Sequence, residues 1–220
     1  MAISYLDNIF NKGNYEYLNP SQNRYGNLEL SEAASTAVVS RDELKAQLRI
    51  DTNDENTLLD TYISAATQMA EHYCNRHFIT AKYKLWFNEL PSTFSLYYPD
   101  CKFNFNGANQ DGLYSLKAVG TTYTLFSKTK WRCNTNTNPN IVTLHDTPIA
   151  IDKSELDGDN EERYYFQFQT GIGDDASDIP DAIKQAIKLI ASDMYYFRED
   201  RKRAFPMASE ILLQPYKCYL

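Results

Sequence analysis

The sequence predicts an α+β protein in which a helical unit is interrupted by a large antiparallel β insertion and preceded by an extended N-terminal arm. Three observations carry this. Apolar residues recur at helical spacing over residues 40–74, alternate from Lys82 onward, and return to helical spacing after Pro180. The first 38 residues mix polar and turn-forming types with scattered aromatics, a composition that buries too little to fold alone. The chain also has 17 Tyr and 11 Phe beside only 8 Gly, which suits half-buried β surfaces and contact faces more than a catalytic cleft.

Within the arm, residues 1–38, Phe10, Tyr15, Tyr17 and Tyr25 stand among Asn11, Gly13, Asn14, Asn19, Pro20 and Gly26, so these rings become useful only against a neighbour. A helix is expected from Ser40, because Glu43 three residues on completes a capping box while Val39 and Leu44 occupy the staple positions. A second start is expected at Thr52, where Glu55 repeats the spacing. Leu59, Tyr62, Ile63, Ala66, Met69, Ala70 and Tyr73 then continue helically to about Cys74.

From Lys82 the period is that of a strand, with Tyr83, Leu85 and Phe87 on one face. Phe94, Leu96 and Tyr98 alternate likewise, as do Phe103 and Phe105. Further strands are expected at Thr121 to Phe126, Ile141 to Leu144 and Tyr164 to Phe168, separated by turns at Pro91-Ser92, Pro99-Asp100, Gly107 to Gly112 and Asn134 to Asn140. An acidic loop, Glu155 to Glu162, is expected to stay solvated. The third long helix begins near Pro180, with Ile183, Ala186, Ile187, Ile190, Met194 and Phe197 as its stripe. It ends in Arg198, Arg201, Lys202 and Arg203, cations that suit a helix C-terminus or a bridge to a neighbouring subunit. A short helix, Met207 to Leu213, closes on Pro215 and Tyr216. The division is thus an arm (1–38), a helical core (39–81 and 170–203), a β insertion (82–169) and a C-terminal segment (204–220).

With 22 basic and 29 acidic residues the net charge is −7, which argues against a surface built to neutralise DNA phosphates, although a protein around a DNA channel can still be acidic. The four cysteines show no paired short spacing, so free thiols in a reducing cytosol are expected. No signal peptide or membrane span is expected.

Asp51, Asn53 and Glu55 open like a calcium loop, but Asn56 stands where glycine is needed and Tyr62 where the bidentate acid belongs. His72, Cys74 and His77 do not share one helix face. Acid pairs such as Asp152 and Glu155 resemble a glycosidase pair only in residue type. No catalytic residue, metal or cofactor is expected. Two competing readings are a carbohydrate-binding or other tail-associated module, using Trp86 and Trp131 as stacking platforms, and a virion glycosidase.

Two stretches resemble the bacteriophage head-tail connector family, the head completion adaptors. The first is Glu43-Leu44-Lys45-Ala46-Gln47-Leu48-Arg49-Ile50-Asp51 with Asp54-Glu55, Leu58-Leu59 and Tyr62-Ile63-Ser64-Ala65-Ala66. The second runs from Thr170-Gly171-Ile172-Gly173 through Ile179-Pro180-Asp181-Ala182-Ile183 to Tyr195, Arg198-Glu199 and Leu212-Leu213 with Pro215-Tyr216-Lys217. The resemblance implies a helical bundle of connector type whose subunits form a ring, usually of twelve, in the virion neck. Such a ring docks on the portal protein, leads to the tail or another neck protein, and lets double-stranded DNA pass without sequence readout during packaging and ejection. It is assembled in the host cytoplasm and involves no membrane.

The resemblance also implies portal docking by the C-terminal end. Here Ile211, Leu212 and Leu213 lie between the helix-breaking Pro206 and Pro215, a piece too short to be stable without a partner surface, and Pro215, Tyr216, Tyr219 and Leu220 extend its apolar edge to the terminus. The portal and the subunit's own helices are both open as that surface. Intersubunit candidates are Arg198, Arg201, Lys202 and Arg203 with Tyr15 and Tyr17 of the arm.

Overall fold

A computed structural model describes residues 28–87, 90–96, 98–106, 110–116, 123–137, 139–145, 164–198 and 207–219. Its strands are β1 (Leu28–Glu32), β2 (Ala81–Phe87), β3 (Thr93–Ser95), β4 (Cys101–Lys102), β5 (Gly112–Leu116), β6 (Tyr123–Leu125), β7 (Trp131–Asn134), β8 (Ile141–Leu144) and β9 (Tyr164–Thr170). Its helices are α1 (Arg41–Leu48), α2 (Asn56–Cys74), α3 (Asp181–Tyr196) and α4 (Met207–Leu213). The class is α+β, with every named strand pair antiparallel.

Ser40 caps α1 as expected. Its hydroxyl accepts from Glu43 N, and the Glu43 carboxylate accepts from Ser40 N at 2.7 Å, which holds that carboxyl below its ordinary range. The second helix differs. It starts at Asn56 rather than Thr52, because Glu55 does not turn back to cap Thr52; its carboxylate accepts from Tyr195 Oη at 2.6 Å and from Arg198 at 2.7 Å. The buried stripe of α2 is Leu59, Ile63, Ala66, Ala70 and Cys74, and Met69, expected inside, is 40% exposed. Pro180 is the cap of α3 and not its first residue, and Phe197, placed in the α3 stripe by spacing, lies past the helix end and is 38% exposed.

The β residues form two sheets. The larger is six-stranded, in the order β1-β2-β9-β5-β6, with β4 also paired to β9; the smaller is β3-β8-β7. The central strand β9 buries Phe166 and Phe168 on one face, opposite Leu85 and Tyr83 of β2. β4 faces Gln169 and Thr170 while β5 faces Tyr164 to Gln167, so the two are one interrupted strand along β9. The interruption takes in Phe103 and Phe105, expected as a strand and found as a stacked pair in a loop. Buried Asp111 repairs the broken ladder, accepting from Asn104 N at 2.7 Å and from the amides of Gln167 and Gln169; burial pushes its carboxyl pKa up.

Two further corrections concern strand positions. Leu28–Glu32, placed in the arm by composition, is an edge strand on β2. Strands β5 and β7 lie outside the expected ones, since Gly112 resembles a turn residue and Trp131 follows a run of polar side chains. Residues 1–27, including Tyr15 and Tyr17, and the acidic loop lie outside the described residues.

Two hydrophobic clusters result. One joins Val38, Val39 and the inward faces of α1, α2 and α3 to Leu213 of α4. The other gathers the aromatics of both sheets. They meet where Phe78 and Ile79 leave α2. There Ile172 N and Gly173 N both donate to Phe78 O, and Gly171 sits at φ +155° with any Cβ 2.6 Å from Thr80 Cα.

Candidate docking site

The C-terminal segment does not leave the body of the subunit. On a helix three consecutive residues are about 100° apart, so Ile211, Leu212 and Leu213 cannot share one environment. Leu213 is fully buried in the helical core, Leu212 is half-buried, and Ile211 is 66% exposed. Beyond α4, Pro215 sits in the first turn of a 3-10 helix, exposed, with Tyr216 half-buried.

The residues that follow are strapped to the corner after α2. Cys218 N donates to Cys74 O at 2.8 Å, Asn75 Nδ2 to Cys218 O at 3.0 Å, and Arg76 to Tyr216 O at 3.2 Å. Tyr73 Oη donates to Gln214 at 2.8 Å, and Gln214 Nε2 in turn donates to Tyr219 Oη at 3.0 Å. Lys217 Nζ lies 4.4 Å from the Tyr73 ring centroid. Burial pushes the Cys74 thiol up to about 12, so it is packing and not a nucleophile.

Of the docking residues expected from sequence, Leu213 is therefore consumed by the subunit itself. Ile211, Pro215 and Tyr219, the last 68% exposed, remain exposed. Leu220, Arg201, Lys202 and Arg203 lie outside the described residues. Arg198 is described and has a partner in its own chain: it bonds Glu55, and its guanidinium lies 5.2 Å from the Tyr195 ring. Tyr195 first and Arg198 second hold the Glu55 carboxyl below its ordinary value.

The chemical candidates separate. His77 Nδ1 faces Glu71 at 3.2 Å and its Nε2 faces Tyr83 Oη at 2.7 Å, a brace between α2 and β2, while His72 is exposed and Cys74 buried. Asn53 accepts from Lys45 Nζ. Among the described residues no group of three or more His, Cys, Asp or Glu is placed to hold a metal ion, and no helix is long and apolar enough to cross a membrane. Asp152 and Glu155 lie outside the described residues.

Trp131 is 6% exposed and packs edge-on against Phe166 at 5.0 Å, so it offers no sugar platform. Trp86 is half-buried, donates to Glu29 at 2.7 Å, and contacts Tyr165 at 4.9 Å.

Sequence reasoning missed two features. One is the His77 brace, which has no sequence signature. The other is β1, whose alternation in Leu28-Glu29-Leu30-Ser31-Glu32 is legible once the arm is read for period instead of composition.

Residues 41–97, about a quarter of the chain, match the phage gp6-like head-tail connector protein family. The resemblance read from the first of the two stretches is thereby shown; the second stretch lies beyond that match. No curated protein matches. Among solved structures, the chain is similar to one in the neck of an empty gene transfer agent (GTA) particle computed with C6 symmetry, at 19% identity and a TM-score of 0.64, covering 88% of this chain and 96% of that one. A chain of the native GTA virion is similar at 18% identity and the same TM-score, and one in the native GTA neck computed with C12 symmetry at 20% identity and 0.59, each with the same coverage. At these identities the likeness is one of fold, and it extends over almost all of those chains, sheets included.

Proposed function

We propose that the chain is a structural neck protein of a phage-like particle, a head-tail connector subunit that stands in a ring of twelve below the portal. The ring joins capsid to tail and surrounds the path of the DNA, which it passes without reading sequence. It works by shape and contact, with no catalysis, metal or cofactor. The observation that carries this reading is the conjunction of the connector-family match over α1, α2, β2 and β3 with a fold that covers 96% of a neck chain. A bundle with exposed apolar side chains at one end suits a wedge that meets larger partners.

In this reading Ile211 and Tyr219 reach the portal, while Leu213 holds α4 against the bundle so that the pair is presented rigidly. Removing the whole segment would therefore unfold the core, and a surface substitution is the cleaner probe. A full-length chain carrying Ile211→Asp and Tyr219→Ser should fold normally yet no longer be retained on portal-bearing capsids in a pull-down. Retention equal to the unaltered chain would refute portal docking by this end. The β region is assigned a second contact, with another neck or tail protein. Particles lacking that contact should lose tails, and a full complement of tails would show it to be dispensable. The carbohydrate reading loses one of its two platforms with Trp131 buried.

A further inference from the structure

We propose that residues 1–27 of one subunit lie in a groove on the next, between residues 34–41 and the outward face of α2, so that each copy is strapped to its neighbour. This rests on the ring reading above and names the contact between its copies.

The groove has a volume of about 580 Å³, within the range of about 300–1,000 Å³ typical of ligand sites. It has room for a few side chains of an extended peptide, and none for a folded partner. Ile63 and Ile79 lie at its floor, the small residues Ala34 and Ala37 form one wall, and Ser64 and Thr67 of α2 form the other. An apolar floor with hydroxyls of Ser35, Thr36, Ser64 and Thr67 in the lining suits tyrosine, whose ring is apolar and whose hydroxyl needs a partner when covered.

The chain outside the described residues has that chemistry. Residues 1–27 include Tyr5, Phe10, Tyr15, Tyr17 and Tyr25, and their charges cancel, with Asp7 and Glu16 against Lys12 and Arg24. No net repulsion opposes docking beside the Arg41–Asp60 ion pair at the mouth of the groove.

Direction favours the neighbour over the same copy, because the start of β1 points away from the groove of its own subunit. Leu28 pairs with Leu85 and Glu32 with Lys82, so β1 runs toward the end of β2 that joins the helices, and the groove begins only at Ala34. At about 3.3 Å per residue the start of β1 is about 20 Å from the groove of its own subunit, and the preceding chain must double back to reach it. Fully extended, 27 residues span up to about 90 Å, about three times the diameter of a small domain, which is ample to cross a subunit boundary.

The test uses the full chain. Tyr15 or Tyr17 is replaced by the photo-crosslinker p-benzoylphenylalanine, and this protein is co-assembled on portal-bearing capsids with an isotopically heavy unaltered copy. After irradiation, cross-linked peptides are identified by mass spectrometry, and rings are scored in the same sample by electron microscopy. The expected product joins residue 15 or 17 of the light chain to residues 34–41 or 60–71 of the heavy chain. Rings present with cross-links confined to one copy, or directed to another surface, would overturn the strap and leave the ring intact. Absence of both rings and these cross-links would overturn both. As a second variant, Ser64→Trp on the exposed face of α2 fills the groove. It should cut the cross-link at least tenfold with an unchanged melting temperature, and an undiminished cross-link would also overturn the proposal.

Discussion

The helical cluster is aliphatic, centred on Leu44, Leu59, Ile183 and Ile187, whereas the cluster between the sheets is aromatic, centred on Phe87, Phe94, Phe166 and Phe168. The difference follows from how each region closes. Helices pack through narrow stripes, where Leu, Ile and Ala interdigitate at close approach. Here the sheets are short and interrupted, β4 and β5 being two pieces of one strand line, and wide side chains must bridge the gaps that broken ladders leave. Phe166 alone lies within 6 Å of three other rings, those of Phe94, Phe103 and Trp131. A region built this way depends on a few large residues. A region built from stripes spreads its stability over many small ones.

Phe166→Ala should therefore give the largest loss. It removes a fully buried ring at the centre of β9, for which about 3–5 kcal/mol is typical, read by denaturant unfolding. A cost below about 1 kcal/mol would mean the aromatic cluster is not a packed core. Following the helical signal in the same titration sharpens the comparison. Coincident loss of helix and near-ultraviolet signals would show one cooperative unit, and separate transitions would show that the two clusters melt apart.

Next in size is Gly171→Ala, at the meeting point of the clusters. A methyl there stands 2.6 Å from backbone atoms of Thr80, at a φ that L residues rarely adopt. Strain of about 1–3 kcal/mol is expected. A neutral result by thermal melting would show that the Ile79–Gly173 junction is loosely held.

Much of the helical half was legible because its signals are local. The capping box at Ser40, the stop at Cys74 and the limits of α4 are each written within a few residues. Where reading failed there, a distant residue intervened: Glu55 has the spacing of a cap and is taken instead by Tyr195 and Arg198, which are remote in sequence. The β region was legible strand by strand, with β2, β8 and β9 near their expected places. Its order was not, because nothing within Tyr164 to Thr170 says that it lies between β2 and β5. The C-terminal segment shows both effects. Its helix was readable, but Leu213 and Ile211 look alike in sequence and differ only through the presence of α2 and α3.

Ser40→Ala should cost about 1 kcal/mol, the usual worth of an N-cap hydroxyl, since it frees Glu43 N at the start of α1. The loss should fall on the helical half alone, which hydrogen exchange of α1 amides would report. Equal loss of protection in β9 would break the distinction between the regions.

The smallest effect is expected from Glu55→Gln. The Glu55 carboxyl is held below its ordinary value, so its contribution is present above the unfolded-state pKa of about 4.3 and is lost as pH falls through the lower folded value. The variant should melt with a slightly shallower acid limb than the unaltered chain, and Glu43 and Asp60, also lowered by their hydrogen bonds to Ser40 and Arg41, should keep part of that limb. A steeper limb in the variant would contradict the direction of the shift.

The proposed place of this chain in a particle is tested most directly by a cryo-electron-microscopy reconstruction of the particle neck made without imposed symmetry. A ring of twelve copies below the portal is expected, with α4 and Tyr219 toward the portal surface and the aromatic sheets turned to another neck or tail protein. Density for this chain elsewhere in the particle, or its absence from a complete neck, would contradict it.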